Sequence, residues 1–389
     1  MSEQQEQQEQ KSSVTFTLIE HGEVYAPEPM GVQSVLLMND RIVKVGAVDI
    51  TALLLMDVPF EVIEAEGLVV TPGLIDPHEH LAGAGGEHGF ASRLPEVTLE
   101  ELVKAGITTV VGLLGTDTTS RTLQCLHAKA NQLRDEGLTT FIYGGGFELP
   151  PQVMTDRVMD DLVNIDTLIG TGEIAISDTR FVDPELRQLA QVVTETMTGG
   201  RMAGKAGVTH FHLGDQSQRL DLLRQLMDVH GVPPQVLYPT HITKTPELLK
   251  EAVDLANRGC FVDMDTIEEN IADCVQQYRK LGGPMDKLTL SSDAHTPEGL
   301  PGKLHGQLVS CVRDYGMPLE EILPLCTSNT ADVLKLKGKG HLQAGLDADV
   351  LVMTKGDMDI MHLFARGQRF IRDAQLAKRS EQLQALAAS

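Results

Sequence analysis

The stretch Pro72-Gly73-Leu74-Ile75-Asp76-Pro77-His78-Glu79-His80 constrains this chain more than any other. It follows the apolar run Leu68-Val69-Val70 and precedes the glycine-rich segment Ala82 to Gly86. Side chains alternate faces along a strand. If residues 74–80 end a strand, His78 and His80 project the same way, and two same-side imidazoles suit one metal ion. A lone His-x-His says little, because most histidines are surface or hydrogen-bonded core residues. Its company further along says more. His210-Phe211-His212 follows Gly207-Val208-Thr209, His241 follows Leu237-Tyr238-Pro239-Thr240, and Asp293 ends Leu288-Thr289-Leu290-Ser291-Ser292. Each metal-capable residue sits at the C-terminal end of a strand-like run.

The rest of the chain sets a frame around these strand ends. Thr98-Leu99-Glu100-Glu101 has capping-box spacing, which predicts a helix to Ala105 stopped by Gly106. Strand-like Thr108 to Val111 follows, then a helix over 121–135 and a strand at Thr139 to Tyr143. Thr245 caps a helix opened by Pro246 and closed near Gly259,. This alternation from about 72 to 345 is βα repetition. A doubly wound sheet or a (β/α)8 barrel would hold it. Metal-capable residues collected from several strand ends favour the barrel, whose active face is built that way.

Both ends of the chain read as β structure. Val35 to Met38, Asn39-Asp40 and Arg41 to Gly46 form a hairpin pattern,. Asp349 to Met353 and Leu363 to Ile371 are strand-like. The expected organisation is therefore a disordered tail at 1–12, a small β-sandwich domain from 13–71 plus 346–389, and a TIM-like barrel over 72–345. Residues 375–389, rich in Ala, Gln and Leu, suggest a terminal helix.

Composition narrows the partners. With 32 basic and 55 acidic residues the formal charge is -23, a field that repels nucleic acid and anionic membranes. No uninterrupted apolar run reaches the roughly 18 residues of a membrane span. Five cysteines at wide spacing, without a Cys-x-x-Cys pair, fit reduced thiols in a cytoplasmic protein,.

The strand-end set, together with Gly85-Gly86-Glu87, Val111 to Asp117, Ala175 to Arg180, Phe211 to Asp215, Pro239-Thr240-His241 and Gly345 to Asp349, resembles the amidohydrolase superfamily. Within it the chain is most similar to the bacterial isoaspartyl (β-aspartyl) dipeptidases. The resemblance covers nearly everything after the first dozen residues. It implies two zinc ions, one held by His78, His80 and Asp293 and the other by His212 and His241. Two such metals can activate one water to hydroxide and polarise a carbonyl. The family's bridging ligand is a carboxylated lysine. The matching position here is Glu173, which offers the same pair of oxygens on a shorter arm.

The resemblance also implies a substrate shell. Glu87 meets the free α-amine, Arg180 and Lys244 hold a carboxylate, and Thr116 is a further contact. Lys244 stands where the family has arginine, which keeps the charge but loses the planar fork. Phe147 stands where the family has a tyrosine over the scissile carbonyl. Losing one oxyanion donor costs roughly 3–4 kcal/mol, with Tyr143 and His210 as candidate substitutes. A substrate-contacting serine is also replaced, and Thr296 offers a hydroxyl one position on. The implied activity is hydrolysis of β-aspartyl dipeptides, with Asp293 carrying the proton. The rival readings are an amidohydrolase acting on an N-acyl amino acid or cyclic amide, and a non-catalytic metal-binding homologue. The family forms large homo-oligomers, up to an octamer.

Overall fold

The structure is a computed structural model and describes residues 15–55, 58–267, 270–297 and 299–377. The expected tail at 1–12 lies outside the described residues, as does 378–389 of the expected terminal helix. Of that helix, Gln375–Leu376 is instead a short strand, pairing antiparallel with its neighbour.

Seventeen strands organise the described chain. The first five are β1 (Phe16–Tyr25), β2 (Pro29–Met38), β3 (Arg41–Gly46), β4 (Phe60–Glu64) and β5 (Leu68–Pro72). Eight follow: β6 (Leu74–Glu79), β7 (Ile107–Gly112), β8 (Thr139–Gly144), β9 (Leu168–Ile176), β10 (Val208–Leu213), β11 (Leu237–Pro239), β12 (Val262–Asp265) and β13 (Leu288–Ser291). The last four are β14 (Val350–Thr354), β15 (Ile360–Ala365), β16 (Gln368–Arg372) and β17 (Gln375–Leu376).

The middle eight strands build the α/β half of the molecule. β6 to β11 lie side by side in chain order as one curled parallel sheet, and β12 pairs in parallel with β13. A parallel bridge between Glu79 and Ala294 joins the end of β6 to the segment after β13. Helices alternate with these strands because each parallel pair needs a crossover. Their starts are set locally. Thr98 opens the helix Leu99–Lys104 with a full capping box, its NH donating to Glu101 Oε2 at 2.8 Å. Thr122 and Thr245 cap Leu123–Asp135 and Pro246–Asn257 with the side chain alone, accepting from Cys125 N and Leu248 N.

The chain ends meet in a single nine-stranded sheet in the order β17-β16-β15-β14-β5-β1-β2-β3, with β4 beside β1. The expected small β-sandwich is thus one hydrogen-bonded sheet, and its hydrogen bonding does not divide it into two layers. The hairpin between β2 and β3 turns at Asn39, whose φ of 52° is the left-handed conformation that asparagine tolerates,. β14 is buried on both faces. Val350 and Val352 join the core between the terminal strands, while Leu351 and Met353 join the large core shared with the helices around the parallel sheet. Gly106 marks that seam: its φ is +72°, and a Cβ there would lie 3.2 Å from Leu351 Cδ2.

Candidate metal centre

The parallel strands point their C-terminal ends at one face, so alternation decides what that face carries. His78 and His80 stand two residues apart at the end of β6 and are buried. Glu173 lies on β9, His210 and His212 on β10, and Asp263 and Asp265 on β12, all buried. His241 and Asp293 sit two residues past β11 and β13. Both adopt left-handed backbone, with φ of 59° and 45°. Non-glycine residues rarely rest there unless the surroundings hold them.

These side chains converge. His78 Nε2 lies 3.4 Å from Glu173 Oε2 and 3.2 Å from Asp293 Oδ1. His80 Nε2 is 3.1 Å from the same Asp293 oxygen. Glu173 Oε1 meets His212 Nδ1 at 2.6 Å and His241 Nε2 at 3.2 Å. Among the described residues three compact groups have ligand atoms within 4.8 Å of one another: His78–His80–Asp293, His78–Glu173–His241, and His241–Asp265–Asp293. His212 falls outside these groups. Its Nδ1 faces Glu173, but its Nε2 is turned toward Asp178 Oδ2 at 3.1 Å.

Electrostatics follow from burial set against charge. Burial alone would raise the Glu173 carboxyl, but His78 and His212 outweigh it and hold the group well below the usual range. Asp293 is likewise pushed up by burial and held down more strongly by His78, His80 and His241. Burial opposes protonation of His241, yet Asp265 and Glu173 push it up to about 9. Both carboxylates therefore stay ionised in a dry site. Beneath them, burial pushes Asp76 up to about 6, and burial beside Asp76 raises Glu79 well above its ordinary value.

Two groups that sequence reasoning passed over matter here. Asp265 Oδ2 accepts from His241 Nδ1 at 2.7 Å, which fixes the ring with Nε2 toward the centre. Asp178 accepts from Arg180 Nε at 3.0 Å and Nη2 at 2.7 Å while facing His212. Carboxylates behind histidines commonly set the tautomer of metal-ligating rings. The signal for Asp265 was present, since Phe261-Val262-Asp263-Met264-Asp265 ends a strand by the alternation used for His78 and His80. Asp178 lies two residues before Arg180.

A cavity of about 160 Å³ opens beside the cluster. Its lining includes His80, Glu173, His212 and Asp293 together with Glu87, Thr116, Phe147, Arg180 and Thr296. Thr116 donates to Glu87 Oε1 at 2.6 Å. Phe147 lays its ring 4.5 Å from that of His212, with the Arg180 guanidinium 5.3 Å from its own centroid. Several of the expected side chains make contacts of their own here. Lys244 does not line the cavity, and its ammonium donates to the Leu213 carbonyl. The Thr296 hydroxyl donates to Asp293 O at 2.8 Å and accepts from Gly299 N at 3.0 Å, so it closes a turn. Tyr143 and His210 stack on each other at 5.2 Å, fully buried and away from the cavity lining. Neither substitutes there for the hydroxyl that Phe147 lacks.

A curled parallel sheet with histidines and carboxylates gathered at its strand ends is the architecture of metal-dependent amide hydrolases, and the chain belongs to the amidohydrolase superfamily. Within it, the chain is similar over almost its whole length to a beta-aspartyl dipeptidase from the thermophilic, keratin-degrading Fervidobacterium islandicum AW-1. The two are 34% identical, with a TM-score of 0.89, covering 93% of this chain and 99% of that one. A second structure of that enzyme, in complex with the dipeptide beta-Asp-Leu, matches at 34% identity with a TM-score of 0.87. An imidazolonepropionase from Alkaliphilus oremlandii is 35% identical over 324 residues, which is 82% of this chain. The chain spans 59% of that relative's length. A dihydroorotase from Halalkalibacterium halodurans is 26% identical over 250 residues, and the chain spans 54% of it. No family model matches the chain.

Proposed function

We propose that this chain is a metal-dependent hydrolase of small amides and that β-aspartyl dipeptides are its substrates. The observation that carries the reading is one cavity lined by the ligand cluster, by the acid Glu87 and by the base Arg180. A dipeptide offers an ammonium and a carboxylate flanking one amide, and this wall matches that pattern of charge. The 34% identity to a beta-aspartyl dipeptidase over 99% of its length supports the same choice.

The residues fit a metal centre. His78 Nε2 is buried without a hydrogen-bond partner although two carboxylate oxygens stand within 3.4 Å of it. Nitrogen and carboxylate donors of this kind are those zinc takes. His78, His80 and Asp293 would hold one zinc, His212 and His241 a second, and Glu173 would bridge them in place of a carboxylated lysine. Metals bound there lower the pKa of a water and polarise the substrate carbonyl.

The side chains supply the remainder. Asp293, ionised, accepts a proton from the attacking water and passes it to the nitrogen of the leaving amine as the C–N bond breaks. Glu87, braced by Thr116, pairs with the substrate ammonium. Arg180 is already forked onto Asp178 through Nε and Nη2, which leaves Nη1 to meet a carboxylate. Phe147 closes the cavity with an apolar face. The eight strands β6 to β13 act as one closed barrel carrying this site, the terminal sheet acts as a separate flanking domain, and the enzyme works in the cytoplasm as a homo-oligomer.

A panel of β-aspartyl dipeptides, α-aspartyl dipeptides, N-acetyl amino acids and dihydropyrimidine-type rings tests the assignment. β-Aspartyl dipeptides should lead in kcat/KM. A second reading, hydrolysis of a cyclic amide, is favoured by the imidazolonepropionase and dihydroorotase relatives. It takes over if a ring wins by more than about tenfold, a margin of roughly 1.4 kcal/mol.

A further inference from the structure

A second cavity, of about 440 Å³, lies at the opposite end of the parallel strands. Its floor is the starts of β8 and β9 and the loop entering β10, and its rim includes the turns of the terminal sheet at Arg41 and Arg366. In a chain of formal charge -23 this lining is inverted: seven lysines and arginines face only Asp166 and Asp347. The acids are largely spent. Arg41 and Lys339 both pair with Asp347, and Lys339 also holds Asp349 at 2.6 Å. Lys205 and Lys335 donate to backbone carbonyls, and Asp166 offsets part of the charge of Lys205. Arg134, Lys335 and Lys337 have no carboxylate partner among the described residues, and Arg366 has only Asp40 at 3.9 Å.

A second observation is independent of charge. Thr140 is one of the residues that line the same cavity; it is 1% exposed, and its buried hydroxyl has no hydrogen-bond partner among the described residues. A buried hydroxyl left unpaired costs about 1–3 kcal/mol, so its retention beside a cationic wall is consistent with a ligand oxygen that completes it. The size suits a small molecule, since ligand pockets occupy roughly 300–1,000 Å³.

We propose that this cavity is a binding site for a small, multiply charged oxyanion of the phosphate or pyrophosphate class, held by Arg134 and Lys337 against the Thr140 hydroxyl and separate from the metal centre. Lysine and arginine hydrogen bonds to phosphoryl oxygens are charge-assisted and correspondingly strong.

The test is calorimetric titration of the metal-loaded enzyme with pyrophosphate in a chloride buffer, beside the double variant Arg134→Ala/Lys337→Ala. Both side chains are exposed, so the variant should keep its circular dichroism spectrum and its amide hydrolysis. Saturable binding is expected in the parent enzyme and should weaken by about tenfold or more in the variant. No saturable binding at millimolar pyrophosphate would overturn the proposal. So would equal binding by parent and variant, which would place the anion on the metals.

Discussion

β13 and β14 are both buried strands, yet what they bury differs in kind. β13 and the two residues beyond it carry Thr289, Ser291, Ser292 and Asp293, with Asp293 ionised among histidines. β14 carries Val350, Leu351, Val352 and Met353, apolar on both faces. Burying a charge costs free energy unless pairs and hydrogen bonds compensate, whereas burying aliphatic side chains stabilises by about 1.5–3 kcal/mol each. The polar strand ends are held by partners from other strands: Asp263 alone accepts from Thr240, Thr289 and Ser291. The apolar strand seals the terminal sheet to the α/β half of the molecule. The contrast teaches that the site is held in place by hydrogen bonds and charge, and that the stability of the frame comes from elsewhere.

The sharpest way to break this contrast is Asp293→Asn. It should lower kcat by about 10²–10⁴-fold, the usual worth of a positioned proton carrier, with little change in melting temperature. Metal content is measured alongside, and near-normal kcat at full metal occupancy would remove Asp293 from proton transfer. Leu351→Ala should do the reverse. Denaturant unfolding should show a loss of roughly 2–5 kcal/mol, with kcat per folded, metal-loaded enzyme unchanged. If kcat falls while the protein is fully folded, the separation of frame from site is wrong.

Asp265→Asn sharpens the comparison within the mouth itself. It removes the carboxylate that orients His241 and should weaken metal affinity by about 10–100-fold, read by competition with a chelator. Unaltered affinity would mean that the left-handed backbone at His241 orients the ring unaided. Phe147→Tyr is the smallest change. A restored hydroxyl over the cavity should raise kcat on the preferred substrate by up to about tenfold, a fraction of what a full oxyanion donor supplies. A fall would indicate that the apolar face is needed against His212.

Local reasoning reached a long way where the physics is local. The capping box at Thr98, the cap at Thr245 and the Asn39 hairpin are written in a few neighbouring residues, and each forms where the pattern places it. The βα rhythm was also legible, as were His78 and His80 from period-two alternation and His241 and Asp293 from their places at the ends of strand-like runs; Glu173 was reached only through the family resemblance, and the structure gathers all five. Asp265 obeyed the same rule and was missed, since an acid in a strand reads as solvated until its partner is known.

The sequence by itself determined the elements, their order and the kinds of atoms at the strand ends. Only the tertiary structure decided which of those atoms meet. It turned His212 Nε2 toward Asp178, gave the Arg180 fork to that same carboxylate, drew Lys244 to the Leu213 carbonyl, closed Thr296 into a turn and buried Tyr143 below the cavity. It also joined the two chain ends into one sheet. Each of these outcomes depends on the direction of a side chain relative to a strand far away in the chain. Sheet curvature and strand register set that direction, and no local pattern of residues encodes it.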